Sequence, residues 1–379
     1  MLSLQDELAL LPLFQRLPPA ALRATASLWS LQELPVGTVL WRAGAPVEDL
    51  GILLGGDLRA VVNEVEVGRV LPGELIGEAA GFFVGSTRTV SLVAHAPSKV
   101  AVLTVNALRT LRWQRSPLYT LLLDAALSTL AKRIQSVNQK IAGGAVGREA
   151  APVRSEPALL ARLWRALVPG GPSTPCPDLA PMLRALPGLR DAEDADLVPL
   201  QKAFVAEPMV EGKQIFLEGD SASSAFLIAD GAVDVLRNVR GDRAERLASL
   251  QAGDLIGINT LIQPGPRTAS CVGVGSGWLY RMDASAYEAL EGEARLLWRE
   301  SMLASLAAQI RMSNNASRRD AGRPLPAAAL ATGPIDSVED FEAMLRASGF
   351  LEGLPVSEGA LADIEVVITE DQKRNPRRR

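Results

Sequence analysis

Glu78 and Arg88, a carboxylate and a guanidinium ten positions apart in PGELIGEAAGFFVGSTRTVS (residues 72–91), are the side chains of this chain best suited to act together on a ligand. Gly77 precedes the glutamate, and a residue without a Cβ lets the backbone come close to a bound group. Residues 79–83 suffice for little more than one helical turn. Its first amides, on the side of Ala79 and Ala80, have no intrahelical acceptor and favour an anion. A planar guanidinium at Arg88 grips two phosphate oxygens at once, which leaves Glu78 to accept hydrogen bonds from sugar hydroxyls. As an isolated surface pair the two charges would contribute little; the flanking pattern tips the reading toward binding.

Other chemistries lack their residues. The chain has one histidine, His95, and two cysteines, Cys176 and Cys271, in unrelated contexts. Neither a metal site, nor a disulfide framework, nor a hydrolase triad can be built from them. No catalytic constellation is legible, so the protein is expected not to be an enzyme and to need no cofactor. A net charge of −4 and 4% aromatic residues give neither a basic field nor stacking platforms for nucleic acid. Asp6 and Glu7 stand where a signal peptide would carry basic residues, and no run of about 18 uncharged apolar residues follows. A cytoplasmic protein without membrane contact is expected.

The elements that position the pair begin with short helical pieces over residues 11–30, with Pro18 and Pro19 at a helix start. From Val36 glycines punctuate short strand-like runs at Gly37, Gly44, Gly51, Gly55, Gly56, Gly68, Gly73 and Gly77, the signature of a small β-barrel or jelly roll. Two more strands follow the Arg88 loop, over 90–94 and 99–105. Asn106 reads as the cap of a short helix, and Ser116-Pro117 opens a long one carrying Leu123, Leu127, Leu130, Ile134, Val137 and Ile141 on one face.

The second half repeats the first. Leu11-Pro12 and Leu22 recur 175 residues later as Leu186-Pro187 and Leu197, and Gly37, Gly44 and Gly56 recur as Gly212, Gly219 and Gly231. Gly77 maps to Gly257 and Arg88 to Arg267. Thr268 follows this second arginine, but Ile258 stands where the glutamate was, and its side chain cannot accept from a hydroxyl. A long helix over 285–312, with Leu296, Leu303, Leu306 and Ile310 on its face, closes the repeat. The fold class is therefore mainly β with flanking helices: two tandem jelly-roll β-barrels, each followed by a long amphipathic helix. The domains are 8–143, a linker at 144–178 with a helix of its own over 157–168, a second domain at 179–316 with a degenerate loop, and a tail at 317–379. That tail is expected to hold a helix over 337–348, a strand over 364–368 and a basic end, KRNPRRR.

The run from Gly77 to Thr89 resembles the phosphate-binding cassette of cyclic-nucleotide-binding domains, as in catabolite activator proteins, cAMP-dependent kinase regulatory subunits and nucleotide-gated channels. WRAGAPVEDLGILLGGDLRAVV resembles the family's strand, Gly turn, strand, Gly, strand run, and PRTA at 266–269 is also of the family's type. The resemblance covers 8–143 and 179–316. It implies that Arg88 and the amide side of Ala79 and Ala80 meet the cyclic phosphate, and that Glu78 meets the ribose. It places Thr89 beside the arginine and puts Val137 and Asn138 of the following helix at the base. The implied ligand is cAMP or cGMP in domain 1, with Gly257, Arg267 and Thr268 as a weak second site at most. No helix-turn-helix follows either copy, so direct DNA binding is not expected. Arg318-Arg319-Asp320-Ala321 looks like a pseudosubstrate but reads as chance.

A non-catalytic regulator that signals to an unidentified protein partner is the leading expectation; a ligand-free scaffold is the alternative. The two long helices are expected to pack as an intrachain pseudo-dimer, Leu130 with Leu306 and Ile134 with Ile310. Occupancy is expected to be one nucleotide per chain, because only Glu78 offers the ribose an acceptor.

Overall fold

The computed structural model describes residues 3–62, 65–83, 86–144, 172–221, 224–240 and 243–320. The protein is mainly antiparallel β with helices ahead of and behind each sheet system. Domain 1 opens with α1 (Leu4–Leu10) and α2 (Pro19–Thr25). Pro19 takes the first helical position of α2, where a missing N–H costs nothing.

Domain 1 is built from two four-stranded sheets. One has the order β1 (Trp29–Leu34), β8 (Ser98–Thr104), β3 (Asp49–Gly55), β6 (Leu75–Ile76); the other has β2 (Val39–Trp41), β7 (Ser91–Ala94), β4 (Leu58–Val62), β5 (Val65–Val70). Leu53, Leu58, Ile76, Leu92 and Val100 are buried in one cluster drawn from both sheets. The Gly56 turn between β3 and β4 carries the chain from one sheet to the other. Its φ is +100°, and a Cβ there would lie 2.3 Å from Ser98 Oγ, so only glycine fits.

In domain 2 the same chain path makes one continuous sheet instead of two. Its helices α6 (Leu179–Ala185) and α7 (Asp194–Ala203) lead into β9 (Val205–Met209), β10 (Gln214–Phe216), β11 (Ser224–Arg240), β12 (Arg243–Gln251), β13 (Leu255–Ile256) and β14 (Ser270–Asp283). β11 and β14 run unbroken past the point where β3/β4 and β7/β8 are interrupted, with register shifts at Asp230 that absorb the bend. The expected pair of barrels is thus two jelly-roll-like domains with differently joined sheets.

Helix boundaries correct the sequence expectation at two helices and agree with it at a third, α5. The cap of α4 (Val105–Trp113) is Thr104, whose hydroxyl accepts from the Ala107 amide, and not Asn106. α5 runs from Pro117 to Gly144. The second long helix does not start at Ser285: a short α9 (Ala284–Glu288) comes first, and α10 spans Gly292–Asp320, past Met312 and past 316. Gly292 at φ +56° makes the break. The expected helices at 157–168 and 337–348, the strand at 364–368 and the basic end lie outside the described residues.

α5 and α10 lie against each other and form the principal helix contact between the domains. Leu123, Leu127, Leu130, Leu303 and Leu306 are buried in one cluster, with Ile134 and Ile310 packed at its margin. The 3.6-residue period of both helices puts these side chains on facing stripes. Among the described residues no helix is long and apolar enough to cross a membrane, and none of the His, Cys, Asp and Glu side chains form a metal-binding group.

Candidate functional site

The backbone of Arg88 is fixed first. Its N–H donates to Ala45 O at 2.8 Å and its carbonyl accepts from the Gly44 N–H at 2.8 Å, so the loop before β7 is tied to the turn after β2. Gly44 makes that turn at φ +83°. Domain 2 repeats the device: Arg267 N–H donates to Asp220 O and Gly219 N–H donates to Arg267 O, both at 2.9 Å.

The guanidinium of Arg88 is stacked on the Trp41 indole, 3.5 Å from the ring centroid. Nη2 donates to the Asp49 carbonyl at 2.7 Å and also meets the Asp49 carboxylate. Nε and Nη1 are buried and have no hydrogen-bond partner. Gly77, at φ +79°, is what makes room: a Cβ there would fall 2.6 Å from Nη1 and 3.2 Å from the indole. Burial weighs against the charge of Arg88 and lowers its pKa, with Asp49 and then Glu78 working in the other direction. Burial also raises the pKa of Asp49, against the pull of Arg88.

Glu78 opens the one-turn α3 (Glu78–Gly81) and is 1% exposed. Arg133, from α5, forms an ion pair with its carboxylate. Arg133 Nη1 meets Oε1 without the geometry of a hydrogen bond, and Oε2 is buried with no hydrogen-bond partner. A buried carboxylate with unused lone pairs, next to a buried guanidinium with unused donors, is costly unless something polar completes them.

Thr89 is half-buried beside Arg88, and Ala79 and Ala80 lie in α3. Val137 and Asn138 belong to α5 one turn beyond Arg133, and their side chains are outside the described atoms. The structure therefore brings Gly77, Glu78, Arg88, Thr89 and the α3 backbone together. It adds three residues that sequence reasoning missed: Trp41, Asp49 and Arg133. Trp41 and Asp49 were legible in principle, since they stand 175 positions before Phe216 and Ser224, the corresponding partners in domain 2.

There the arrangement is closed. Arg267 donates from Nη1 to Gly257 O and Thr260 Oγ1, both at 3.1 Å, and from Nη2 to Ser224 O at 2.7 Å and Ser224 Oγ at 3.2 Å. Its guanidinium lies 4.0 Å from the centroid of Phe216. Ile258 is 2% exposed and belongs to the apolar core. Thr268 is half-buried and lies next to the arginine, as Thr89 does in domain 1.

The cyclic nucleotide-binding domain family matches residues 31–114 and again residues 208–291, so each match contains one arginine, its glycine and its aromatic shelf. The chain carries two cyclic nucleotide-binding domains. A cyclic AMP receptor protein of Thermus thermophilus is 39% identical over 64 residues, which is 17% of this chain and 30% of that relative's length. Among solved structures, the regulatory domain of Toxoplasma gondii PKA with cAMP aligns at 16% identity over 83% of this chain and 95% of that one, with a TM-score of 0.27. A cyclic nucleotide-binding domain from Methylobacillus flagellatus aligns at 21% identity over 38% and 83%, with a TM-score of 0.35.

Both cassettes touch the interdomain seam. α3 packs on α5 and on α10, and the second cassette helix, α8 (Asn259–Ile262), packs on α5. Gln263, just after α8, donates to Ser128 Oγ of α5 at 2.7 Å.

Proposed function

We propose that the protein is a non-catalytic, cytoplasmic regulator that binds one cyclic nucleotide, cAMP or cGMP, in domain 1 and signals to a protein partner. One observation carries the reading: Arg88 keeps two buried donors and Glu78 two buried acceptor oxygens without hydrogen bonds, whereas the Nη atoms of Arg267 are bonded within the protein. A cyclic phosphate on Nε and Nη1 of Arg88 and a ribose 2′-hydroxyl on Glu78 would complete both. The α3 amides would face the same phosphate. Because α3 touches both long helices, capture of the phosphate shifts the seam between the domains, and the partner reads that shift.

A ligand-free scaffold is favoured by one other observation, namely that Asp49 and Arg133 already supply opposite charges to the pair. Calorimetric titration with cAMP and with cGMP separates the two. The regulator reading expects one site per chain, abolished by Arg88→Ala or Glu78→Ala and little changed by Arg267→Ala. No binding of either nucleotide to the wild type at high micromolar concentration establishes the scaffold instead.

A further inference from the structure

A second cluster of guanidinium groups lies away from both cassettes, where the turn between α4 and α5 meets the start of α10. A cleft of about 240 Å³ opens there, with Arg115, Arg295, Arg299 and Glu293 in its wall beside Tyr119 and Thr120. The carboxylates nearby are already taken. Glu293 pairs with Arg112 and, at 3.5 Å, with Arg115; Glu300 accepts from Arg112 Nε and from the Tyr119 hydroxyl, each at 2.5 Å; Asp124 pairs with Arg299. Three of the four arginines, Arg112, Arg115 and Arg299, thus share these three carboxylates.

The surplus sits in the cleft. Arg295 has no carboxylate partner among the described residues; it reaches the Glu288 and Leu290 carbonyls only at 3.5 Å and lies over the Tyr287 ring. Arg299 keeps its Nε buried without a hydrogen bond. Arg115 is held at φ +52°, the only non-glycine residue at positive φ among those described. A bulky side chain in that region is sterically disfavoured, and such outliers collect at functional sites. Gly292 and Glu293 line the cleft too, so the free amides of the first turn of α10 add to the same field.

We propose that this cleft binds a small oxyanion, a phosphate or carboxylate compound, gripped by Arg115, Arg295 and Arg299. The cleft has room for a pyrophosphate-sized group, and planar guanidiniums suit oxyanions of either kind. The site bridges a turn of domain 1 and a helix of domain 2, so its occupant fastens the two domains together independently of the cassette.

The test is calorimetry and thermal unfolding of the full chain with pyrophosphate and with citrate at up to millimolar concentration. Saturable binding with a raised Tm is expected for at least one probe, and which one binds tells phosphate from carboxylate. Arg115→Gly should leave Tm equal or higher, since glycine accepts the backbone angle, yet weaken the anion by about tenfold or more. Arg295→Gln should weaken it similarly, and Arg88→Ala should leave it unchanged. Absence of saturable binding of both probes, or binding indifferent to Arg115→Gly and Arg295→Gln, overturns the assignment.

Discussion

Asp49 and Ser224 stand 175 positions apart and hold the same place in the two domains, each gripping the cassette arginine of its own domain. Both accept at the backbone carbonyl, so what is exchanged is a carboxylate for a hydroxyl, and the exchange accompanies the difference between a guanidinium with spare donors and one whose Nη atoms are bonded. We therefore expect Arg267 to be structural. Arg267→Ala strips partners from Ser224, Gly257 and Thr260 in a buried place, and we expect a loss of about 1–3 kcal/mol in urea unfolding. Nucleotide affinity should stay within about threefold of wild type. A large loss of affinity with unchanged stability would assign the live cassette to domain 2.

Arg133 compensates a carboxylate that solvent does not reach. Removing one member of a buried pair costs about 3–5 kcal/mol; with the Arg133 side chain 44% exposed and screened, Arg133→Ala should cost about 1–2 kcal/mol at neutral pH. The double variant Arg133→Ala with Glu78→Gln should recover most of it, because the uncompensated charge is gone. A double-mutant cycle in urea measures this, and strictly additive losses would mean that the pair is not coupled.

Asp124 and Arg299 set a charge pair across the α5–α10 seam. Arg299→Asp would put two carboxylates together there and should destabilise by about 1–3 kcal/mol, with part of the loss restored by adding Asp124→Arg. Pairing of α5 with α10 within one chain would be favoured over pairing of identical helices from two chains. Sedimentation of wild type should therefore give a monomer, and a dimer that persists under the charge swap would contradict this account.

The Cys271 thiol is pushed up to about 12 by burial, while Cys176 is partly exposed. Since the thiolate is the reactive form, Cys271 should resist a thiol reagent in native buffer. One equivalent is expected to react natively and two in denaturant; native labelling of both would show that the domain 2 sheet opens readily.

Much of this arrangement was written in the sequence, for reasons of backbone geometry. Gly44, Gly56 and Gly77 and their copies in the second half stand at positive φ, where other residues are strained, so a glycine pattern repeated 175 positions on for the first two and 180 for the third betrays two copies of one fold. The pattern flanking Glu78 and Arg88, more than their spacing, likewise resembles a cassette, and the periods of α5 and α10 mark apolar faces in want of cover. Tertiary structure alone decided what surrounds those charges. Trp41, Asp49 and Arg133 lie 47, 39 and 45 positions from Arg88. No local rule brings an indole and a carboxylate from two strands, or a guanidinium from a later helix, to one buried point. The joining of β11 and β14 across a break that domain 1 keeps, and the start of α10 at Gly292, were also settled by packing, since strand and helix ends depend on which neighbours are there to pair with.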